Sequence, residues 1–441
     1  MEHKKLKEDS EMKIYNYMPE SIGRLVSKLK ERNNEEQKNI TEAVQSIISE
    51  VRQRGDEALF ELTKKFDGVS LQNPEVEKSL IENAFESIEP ALARAINRAA
   101  GNIRSFHENQ KEKSWLTTEE NGILLGQKVT PLERVGIYVP GGTAPLPSSV
   151  LMNAIPAKIA GVKEIIMLTP PGKNGVPNPA ILACALVAGV DRVFQVGGAQ
   201  AIAAMAYGTE TIPKVDKITG PGNIFVVTAK KMVYGVCDID MIAGPSEVLI
   251  IADDSAKPEY VAADLLSQAE HDILASAILI TTSQKLLKMV LIEIEKQTAK
   301  LPRKEIIQQS LDNNGAMVLV DSINEAVKLA NKIAPEHLEL CVRNPFLLVG
   351  DIKNAGAIFL GEYSPEPLGD YMAGPNHVLP TNGTARFYSP LSVDDFVKRS
   401  SIISYSKEAL ENVWQDIATF AEAEGLTAHA NSVRIRFKDS R

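Results

Sequence analysis

Two segments of this 441-residue chain bring side chains that could move protons or bind a cation close together. In "APEHLEL", Glu336 and His337 are adjacent, although the chain has only six histidines. In "DLLSQAEHD", Gln268 and His271 are three positions apart and share one face if the segment is helical. Carboxylates and imidazoles act as general bases in enzymes, and imidazole is also a common metal ligand. These two segments are therefore the first candidates for catalysis.

Each segment also has an ordinary structural interpretation. Pro335 and Glu336 suit the first turn of a helix, because proline tolerates the first position and an acid stabilises the helix N-terminus. In an irregular turn, by contrast, Glu336 and His337 could both face one cleft. His271 suits the C-terminal end of a helix, where a cationic imidazole interacts favourably with the dipole. Glutamine is also an uncommon metal ligand, so the spacing leaves both interpretations open.

Glycine and proline cluster after short apolar runs, in "YVPGGTAPLPSS", "VGGAQAIAAMAYG", "TGPGNIFVVTAKK", "IAGPSEV" and "YMAGPNHVLPTNGTARF". Open parallel sheets bind ligands at the carboxyl ends of their strands, and glycine lets the backbone approach a ligand closely. "RVFQVGGAQAIAAMA" has the strand–glycine–helix form of a nucleotide site but lacks GxGxxG, so a plain tight turn is the alternative. Asp370 in "PLGDYMAG" and His429 in "EGLTAHA" have similar loop-like settings and could contribute to a metal site.

The elements that position these residues follow three patterns along the chain. Residues 20–116 have the composition of charged amphipathic helices, with the i, i+3, i+4, i+7 apolar spacing clearest at 44–51. From about 123 to 361, runs such as "RVGIYV", "EIIMLT", "VLIIAD", "AILITT" and "AMVLV" alternate with helical stretches, which is typical of parallel α/β sheets. This span is too long for one sheet of typical size, so we expect two α/β units. After about 391 the pattern predicts helices again.

Composition and charge exclude several classes of protein. A net charge of −9 argues against binding to a phosphate backbone, and 5% aromatic residues argue against stacking on single strands. The N-terminal "MEHKKLKEDSEMK" lacks the apolar core of a signal peptide, and no apolar run has membrane-spanning length. Cys184, Cys237 and Cys341 are far apart and fit neither a disulfide framework nor a thiolate zinc site. We therefore expect a cytoplasmic protein that binds neither nucleic acid nor membrane.

Taken together, these segments resemble the histidinol dehydrogenase family from about residue 20 to residue 436. The resemblance rests on "VPGG", "GGAQAIAAMAYGT", "VDKITGPGN", "AGPSEVL", "DLLSQAEHD", "APEHLEL", "GDYMAGPNHVLPT" and "EGLTAHA". It implies an α/β fold of two Rossmann-like parallel-sheet units with helical N- and C-terminal segments. Two positions depart from the family pattern, Leu146 in place of tyrosine and Asn382 in place of glycine. Both lie near expected ligand loops, so they bear on affinity rather than on activity.

The resemblance also implies an activity and a set of site residues. The family oxidises L-histidinol to L-histidine in two NAD-dependent steps through an enzyme-held aldehyde, at the end of histidine biosynthesis, as a homodimer with one zinc ion per subunit. The implied catalytic residues are Glu336 and His337, and the implied metal ligands are Gln268, His271, Asp370 and His429. The implied NAD contacts are Tyr138, Gln200 and Asn223. The implied substrate contacts are Ser246, Gln268, His271, His337, Asp370, His377, Glu424 and His429.

The chemistry of the two oxidations suits these residue types. Removal of a hydride from an alcohol requires a base for the hydroxyl proton, and the neutral imidazole of His337 has a suitable pKa. The second oxidation requires addition of water to the aldehyde, and we expect Glu336, ionised at neutral pH, to accept that proton. The metal is expected to position the imidazole and amine of the substrate, with a Lewis-acid role as the alternative. A metal-dependent hydrolase and a non-catalytic homologue are the competing classes.

The resemblance and the element pattern together suggest four parts. Residues 1–24 are expected to form an N-terminal arm. Residues 25–134 and 246–390 are expected to form a discontinuous substrate and metal domain, of which the first part is helical. Residues 135–245 are expected to form the NAD-binding domain. Residues 391–441 are expected to form a helical segment that contributes His429 and Glu424 to the active site of the partner subunit.

Overall fold

The fold is taken from a computed structural model, which describes residues 12–16, 18–31, 37–141, 145–172 and 174–437. Residues 1–11 and 17 of the expected N-terminal arm (1–24) lie outside the described residues. In chain order the strands are β1 (Lys13–Asn16), β2 (Trp115–Glu119), β3 (Ile123–Pro131), β4 (Arg134–Tyr138), β5 (Glu164–Leu168), β6 (Arg192–Phe194), β7 (Lys217–Thr219), β8 (Asp238–Ile239), β9 (Glu247–Ala252), β10 (Ser276–Thr281), β11 (Ala316–Leu319), β12 (His337–Cys341), β13 (Ala357–Leu360) and β14 (Val397–Tyr405).

The helices separate most of these strands. In chain order they are α1 (Pro19–Glu31), α2 (Gln37–Arg54), α3 (Asp56–Asp67), α4 (Lys78–Ser87), α5 (Pro90–Glu108), α6 (Pro147–Ala160), α7 (Pro179–Ala188), α8 (Gly198–Tyr207), α9 (Ile224–Val233), α10 (Pro258–Ala269), α11 (Gln284–Thr298), α12 (Lys304–Asn314), α13 (Ile323–Ile333), α14 (Glu366–Tyr371), α15 (Lys407–Glu411), α16 (Trp414–Ala423) and α17 (Thr427–Arg434). Among the described residues, no helix is both long and apolar enough to cross a membrane.

The chain divides into two compact units. The larger unit comprises the described residues of Met1–Gln110 together with Leu132–Phe396, and the smaller unit comprises Lys111–Pro131 together with the described part of Val397–Arg441. Both parallel sheets lie in the larger unit. The expected class, two Rossmann-like parallel sheets with flanking helices, is confirmed.

The first parallel sheet, sheet B, has the strand order β6-β5-β4-β7-β8, and every neighbouring pair is parallel. Numbered from β4, this is the 3-2-1-4-5 order of a Rossmann half, in which the connections reverse direction between β4 and β7. Helices α6, α7, α8 and α9 follow its strands. Because both faces are covered, the strands are apolar almost throughout, as predicted for a buried parallel sheet.

The N-terminal helices pack on sheet B. Helix α2 contacts α8 and α9, and α4 and α5 contact α7 and α6. The apolar residues of α2 predicted at 44–51 are buried in one core with strands of this sheet. Helix α5 also bonds to the later segment, since the amide nitrogen of Asn102 donates to the carbonyl of Met372 at 2.7 Å, and the expected grouping of 25–134 with 246–390 stays a prediction.

The second parallel sheet, sheet A, has the order β1-β11-β10-β9-β12-β13. Numbered from β9, it repeats the 3-2-1-4-5 order, and β1 adds an edge strand beside β11. Strands β9, β10 and β12 are buried along their whole length. Two apolar cores lie on the two faces of this sheet, so β9 and β12 form its rigid centre.

The smaller unit combines a three-stranded antiparallel sheet, β14-β3-β2, with helices α15, α16 and α17. The prediction of helix after residue 391 is wrong for β14, which pairs with β3 over nine residues. The strand sequence "VKRSSIISY" lacks a continuous apolar face and is mostly exposed. The formation of this strand therefore depends on pairing with β3, which is distant in sequence, rather than on local apolar periodicity.

Candidate active site

The segment "APEHLEL" ends one helix and begins a buried strand. Helix α13 stops at Ile333, and Ala334 takes a left-handed conformation with φ 56°. Pro335 cannot continue a helix after such a residue, and β12 begins at His337. The interpretation of this segment as a helix start is wrong, and the irregular turn is the correct alternative. Glu336 and His337 are both buried in this turn, with 6% and 4% of their surfaces exposed.

The main chain of one residue positions both side chains. Glu247, the first residue of β9, donates its N–H to Oε2 of Glu336 at 2.8 Å. The carbonyl oxygen of Glu247 accepts a hydrogen bond from Nδ1 of His337 at 3.0 Å. Strands β9 and β12 are neighbours with His337 paired to Val248, so the strand register brings these groups together.

The hydrogen bond to a carbonyl decides the tautomer of His337. Because a carbonyl oxygen can only accept, Nδ1 carries the proton and Nε2 of the neutral ring has a free lone pair. Nε2 has no hydrogen-bond partner in the described part of the chain and lies 3.9 Å from Oδ1 of Asp370. Burial lowers the pKa of His337, since a charged ring is disfavoured away from water. Its surroundings thus favour the neutral ring of His337.

Glu336 differs from its expected state. Burial raises the pKa of its carboxyl well above the usual value, although the N–H of Glu247 acts in the opposite direction. The charges of Glu247, Glu366 and Asp370 raise this pKa further. Desolvation and the neighbouring acids therefore act against the ionised carboxylate that the sequence predicts. A cation nearby would act in the opposite sense.

Three candidate ligand groups converge beside this pair. One ligand atom each from His271, Glu366 and Asp370 lie within 4.8 Å of one another. Two of these residues were predicted as metal ligands. His271 follows the C-terminal end of α10 and is exposed, and Asp370 lies in α14. A nitrogen donor and two carboxylates form a donor set that suits a zinc ion.

Gln268 supports the same interpretation. It is fully buried in the last turn of α10, and both its amide oxygen and its amide nitrogen lack a partner in the described part of the chain. Orphaned buried amides are rare because each lost hydrogen bond is unfavourable. The residues present therefore fit a metal ion, with the Gln268 amide oxygen as a further donor. Gln268 and the three converging residues all belong to the larger unit.

Glu366 is a site residue that the sequence analysis missed. It is 2% exposed, and burial, together with the charge of Asp370, raises its pKa to about 8. Its backbone N–H donates to Oε1 of Glu339 at 2.8 Å, and Ser267 donates its hydroxyl to Oε2 of Glu366 at 3.3 Å. The available signal was its position four residues before Asp370 in "SPEPLGD", since this spacing shares a helical face.

A cavity of about 590 Å³ lies beside His337 and Asp370. His337, Asp370 and His377 line it together with apolar side chains such as Phe359, Leu368 and Leu379. His377 donates from Nδ1 to the carbonyl of Asp370 at 3.1 Å, and its Nε2 accepts from the hydroxyl of Ser149 at 3.3 Å. Burial lowers the pKa of His377. The cavity therefore offers a small molecule both neutral imidazoles and a carboxylate.

The predicted NAD contacts gather at the carboxyl ends of sheet B. Tyr138 ends β4, Gln200 lies in the first turn of α8, and Asn223 caps α9 by accepting from the N–H groups of residues 225 and 226. Tyr138 and Gln200 are almost fully buried, and the Tyr138 hydroxyl accepts from the N–H of Gly198 at 3.1 Å. The ends of β4 and β7 flank the reversal point where such sheets bind ligands.

Two buried hydroxyls at the same edge lack partners. Thr169, directly after β5, and Thr219, the last residue of β7, are both fully buried, and neither hydroxyl has a hydrogen-bond partner in the described residues. Unsatisfied polar groups at a strand edge suit a polar ligand, so these residues fit a dinucleotide. The expectation that ligands bind at the carboxyl ends of the strands does not hold for Glu336 and His337 in sheet A, since both lie at the amino end of β12.

The remaining predicted residues have different settings. Ser246 is half-buried directly before β9. Glu424 and His429 are exposed residues of the smaller unit, and their role stays a prediction. Asn382 has φ 54°, which explains why glycine suits this position, and its amide packs against Gly244. Leu146 is half-buried before α6, and nothing in the structure explains its departure from tyrosine.

Two Rossmann-ordered sheets, with a buried histidine beside a cluster of candidate metal ligands, are typical of an α/β enzyme that binds a nucleotide. The model of the histidinol dehydrogenase family matches residues 30–437. The histidinol dehydrogenase of Clostridium acetobutylicum is 60% identical over 410 residues, covering 93% of this chain and 95% of that relative. The Bacillus cereus relative is 54% identical and covers 97% and 99%, respectively.

A solved structure agrees with these relatives. The crystal structure of histidinol dehydrogenase from Elizabethkingia anophelis superimposes with a TM-score of 0.93 at 41% identity, covering 98% of this chain and 99% of that one. The chain belongs to the histidinol dehydrogenase family. It is therefore an NAD-dependent oxidoreductase of histidine biosynthesis, and the resemblance deduced from the sequence is confirmed.

Proposed function

We propose that this chain oxidises L-histidinol to L-histidine in two successive NAD-dependent steps, in the cavity lined by His337 and Asp370. The observation that carries the proposal is the free Nε2 of a buried, neutral His337 beside Asp370. His337 lines the cavity, and the Glu247 carbonyl fixes its tautomer so that this nitrogen is unprotonated in the neutral ring. The site-residue roles below are proposals of the same kind.

In the first step, Nε2 of His337 accepts the hydroxyl proton of the substrate. The hydrogen on the carbinol carbon leaves with both bonding electrons as hydride, which NAD would accept when bound. The carbinol carbon then becomes the aldehyde carbon. His337 suits this role because its other nitrogen is held by the Glu247 carbonyl, so the ring stays oriented as it gains charge.

In the second step, Glu336 accepts a proton from the water that adds to the aldehyde. A second NAD, when bound, would accept the hydride from the carbon of the hydrated aldehyde, and loss of one hydroxyl proton leaves the carboxylic acid. Burial alone favours a protonated Glu336, whereas a nearby cation favours the ionised form. Glu336 therefore becomes a base in the loaded site, and its hydrogen bond from the N–H of Glu247 keeps one oxygen in place.

The proposed zinc ligands are Gln268, His271, Asp370 and, from the smaller unit, His429. Glu366 lies close to His271 and Asp370. A bound zinc ion would hold the imidazole and amine of histidinol, and polarisation of the substrate oxygen is the alternative contribution. The support is the buried, unpartnered amide of Gln268 and the convergence of His271, Glu366 and Asp370. His377, Ser246 and Glu424 are the further proposed substrate contacts.

NAD is proposed to bind at the carboxyl ends of sheet B, with contacts from Tyr138, Gln200 and Asn223. The support is the Rossmann strand order and the two unpartnered threonine hydroxyls at that edge. We further propose a homodimer in which Glu424 and His429 serve the active site of the other subunit. A cytoplasmic location is proposed because three cysteines are buried and unpaired.

The direct test is the absorbance of NADH after purified protein is mixed with L-histidinol and NAD. We expect two NADH per histidinol consumed, and loss of the signal when a chelator removes the metal, with recovery on addition of zinc. A hydrolase that uses Glu336 and a metal-bound water would release product without any NADH. That outcome, or the absence of turnover in zinc-replete protein, would overturn the proposal.

A further inference from the structure

A buried ion pair contacts the loop between β7 and α9, which we call the Gly220 loop (219–223). Lys230 in α9 pairs with Asp240, which follows β8, and their side chains are 3% and 1% exposed. Nζ of Lys230 also donates to the carbonyl of Gly220 at 2.9 Å. Oδ2 of Asp240 accepts the N–H of Gly220 at 2.8 Å. The pair thus satisfies both main-chain polar groups of a single residue.

Gly220 is confined on its other side by β4. Its φ is 112°, a conformation that favours glycine, and a Cβ at this position would lie 2.1 Å from the carbonyl oxygen of Tyr138. The hydroxyl of Tyr138 accepts from the N–H of Gly198 in the loop before α8. One tyrosine therefore contacts two glycine loops at the edge where the cofactor is proposed to bind.

Stability alone does not explain a buried pair of this kind. Removing two charges from water is costly, and apolar residues of similar size in place of a buried ion pair are often neutral or stabilising. The Lys230–Asp240 pair provides what an apolar pair would not, since it fixes both the N–H and the carbonyl of Gly220. A loop held in a fixed conformation favours ligand binding, because no ordering of the loop is needed when the ligand binds.

We propose that Lys230 and Asp240 are positioning residues for the dinucleotide, which act by holding the Gly220 loop against the end of β4. The inference rests on the proposed NAD site and adds two residues that do not touch the cofactor. Because the loop ends in Asn223, the cap of α9, movement of Gly220 would displace the first N–H groups of that helix. The pair should therefore affect NAD affinity and leave zinc and histidinol affinity unchanged.

The test compares two double variants that leave no buried charge alone. Lys230→Met/Asp240→Leu removes both contacts with Gly220, whereas Lys230→Met/Asp240→Asn keeps an oxygen that accepts its N–H. NAD binding to each folded protein is measured by titration calorimetry, and zinc and histidinol binding are measured alongside. We expect the NAD dissociation constant to rise at least about 10-fold in the first variant and less in the second. Zinc and histidinol binding should match the wild type.

Lys217→Met is the matched control. Lys217 is a buried lysine of β7 whose side chain is 6% exposed and pairs with Asp238 and Asp395, outside the Gly220 loop. Its loss should lower the melting temperature without changing the NAD dissociation constant. An unchanged NAD dissociation constant in both double variants, or an equal rise in the control, would overturn the inference while the proposed function stands.

A third variant covers the case in which the double variants do not fold. Gly220→Ala retains the ion pair but places a methyl group against the carbonyl of Tyr138. It should weaken NAD binding at least as much, and normal NAD affinity in this variant would overturn the inference. Wild-type protein that binds no NAD at all would overturn the proposed function first, and the inference with it.

Discussion

His337 shows how a single main-chain contact determines the chemistry of a side chain. The Glu247 carbonyl assigns the proton to Nδ1, and burial keeps the ring neutral, so Nε2 is left free to accept a proton. An exposed histidine would exchange between tautomers and charge states at neutral pH. One hydrogen bond and burial thus give the proposed base a defined orientation.

Replacement of His337 by asparagine should remove the base while keeping a similar polar volume. We expect turnover to fall by about 10²- to 10⁴-fold, the usual contribution of a general base. Steady-state NADH formation measures the loss, and elemental analysis shows whether zinc remains bound. A variant that retains zinc and more than about a tenth of wild-type turnover would exclude His337 as the base.

Replacement of Glu336 by glutamine separates position from basicity. The amide oxygen can still accept the N–H of Glu247, so the local structure should persist while the proton acceptor is lost. We expect the oxidation of aldehyde to acid to slow far more than the oxidation of alcohol to aldehyde. Single-turnover experiments that start from histidinal or from histidinol resolve the two. Equal slowing of both would refute this division of roles.

Replacement of Gln268 by alanine should lower zinc affinity and activity together. The buried amide has no other partner among the described residues, so its removal takes a ligand and leaves the fold largely intact. Zinc titration in a competing chelator measures the affinity, for which we expect a loss of at least about 10-fold. Gln308→Ala on α12 is the control and should bind zinc normally. Full zinc affinity without Gln268 would remove it from the site.

The sequence identified some of these residues and not others for physical reasons. Glu336 and His337 were found because adjacent acid and imidazole groups are visible in the chain itself. Glu366 was missed because its role depends on Ser267 and Glu339, which reach it only through packing. The rise in the pKa of Glu336 could not be read from the sequence, because desolvation is a property of the folded environment rather than of the residue type.

At the scale of elements, the strand order was more predictable than the edge that forms the site. Apolar runs alternating with helices indicated parallel sheets, and both sheets have the Rossmann order. The rule that ligands bind at the carboxyl ends of strands suits sheet B, but the proposed catalytic pair lies at the amino end of β12. Strand β14 was missed, since its pairing with β3 is not encoded in a local apolar pattern. The left-handed conformation of Ala334 likewise depends on tertiary structure rather than on the local sequence.

Helix α5 carries a histidine whose hydrogen bonds favour the neutral ring. Nδ1 of His107 donates to Oε1 of Gln110 at 2.6 Å, and Nε2 accepts from the amide nitrogen of Asn376 at 3.4 Å. If the ring were protonated, its N–H at Nε2 would face an N–H of the Asn376 amide. Burial also lowers the pKa of His107. The unfolded chain binds this proton below about pH 6.5 and the folded chain does not, so acid destabilises the fold through this residue.

The expected result is a difference in slope between two proteins. The free energy of unfolding should fall as pH drops from 7.5 to 5.5, with His107 contributing up to about 1.4 kcal/mol per pH unit below pH 6.5. In His107→Leu that contribution is lost, so its unfolding free energy should depend less steeply on pH. Denaturant titrations at each pH measure both. Identical slopes, or an NMR signal of His107 that titrates near pH 6.5 in the folded protein, would contradict the argument.

At the scale of the whole molecule, the proposed active site needs residues from both compact units. His271, Asp370 and His337 belong to the larger unit, and Glu424 and His429 belong to the smaller one. In the proposed dimer, each site takes its last two residues from the other subunit. Closed twofold symmetry makes this arrangement testable, because both sites are then built in the same way.

Mixing two inactive variants should restore activity if the sites are shared. When His337→Asn and His429→Ala chains are unfolded and refolded together, about half of the dimers contain one of each. One site of each mixed dimer then carries both lesions and the other carries none, so about a quarter of wild-type NADH formation should return. Separately refolded variants are the control. If mixed dimers form and no activity returns, each site is built within one chain.

Both bonds that orient Glu336 and His337 come from the main chain of Glu247, and this has a consequence for mutational tolerance. Any residue except proline at position 247 keeps the N–H, and every residue keeps the carbonyl. A scan of side-chain replacements would therefore pass over this contact, and only an amide-to-ester exchange in the backbone or slippage of β9 against β12 would abolish it. As far as these two hydrogen bonds are concerned, the geometry of the proposed catalytic pair depends on the alignment of β9 with β12 rather than on residue identity at 247.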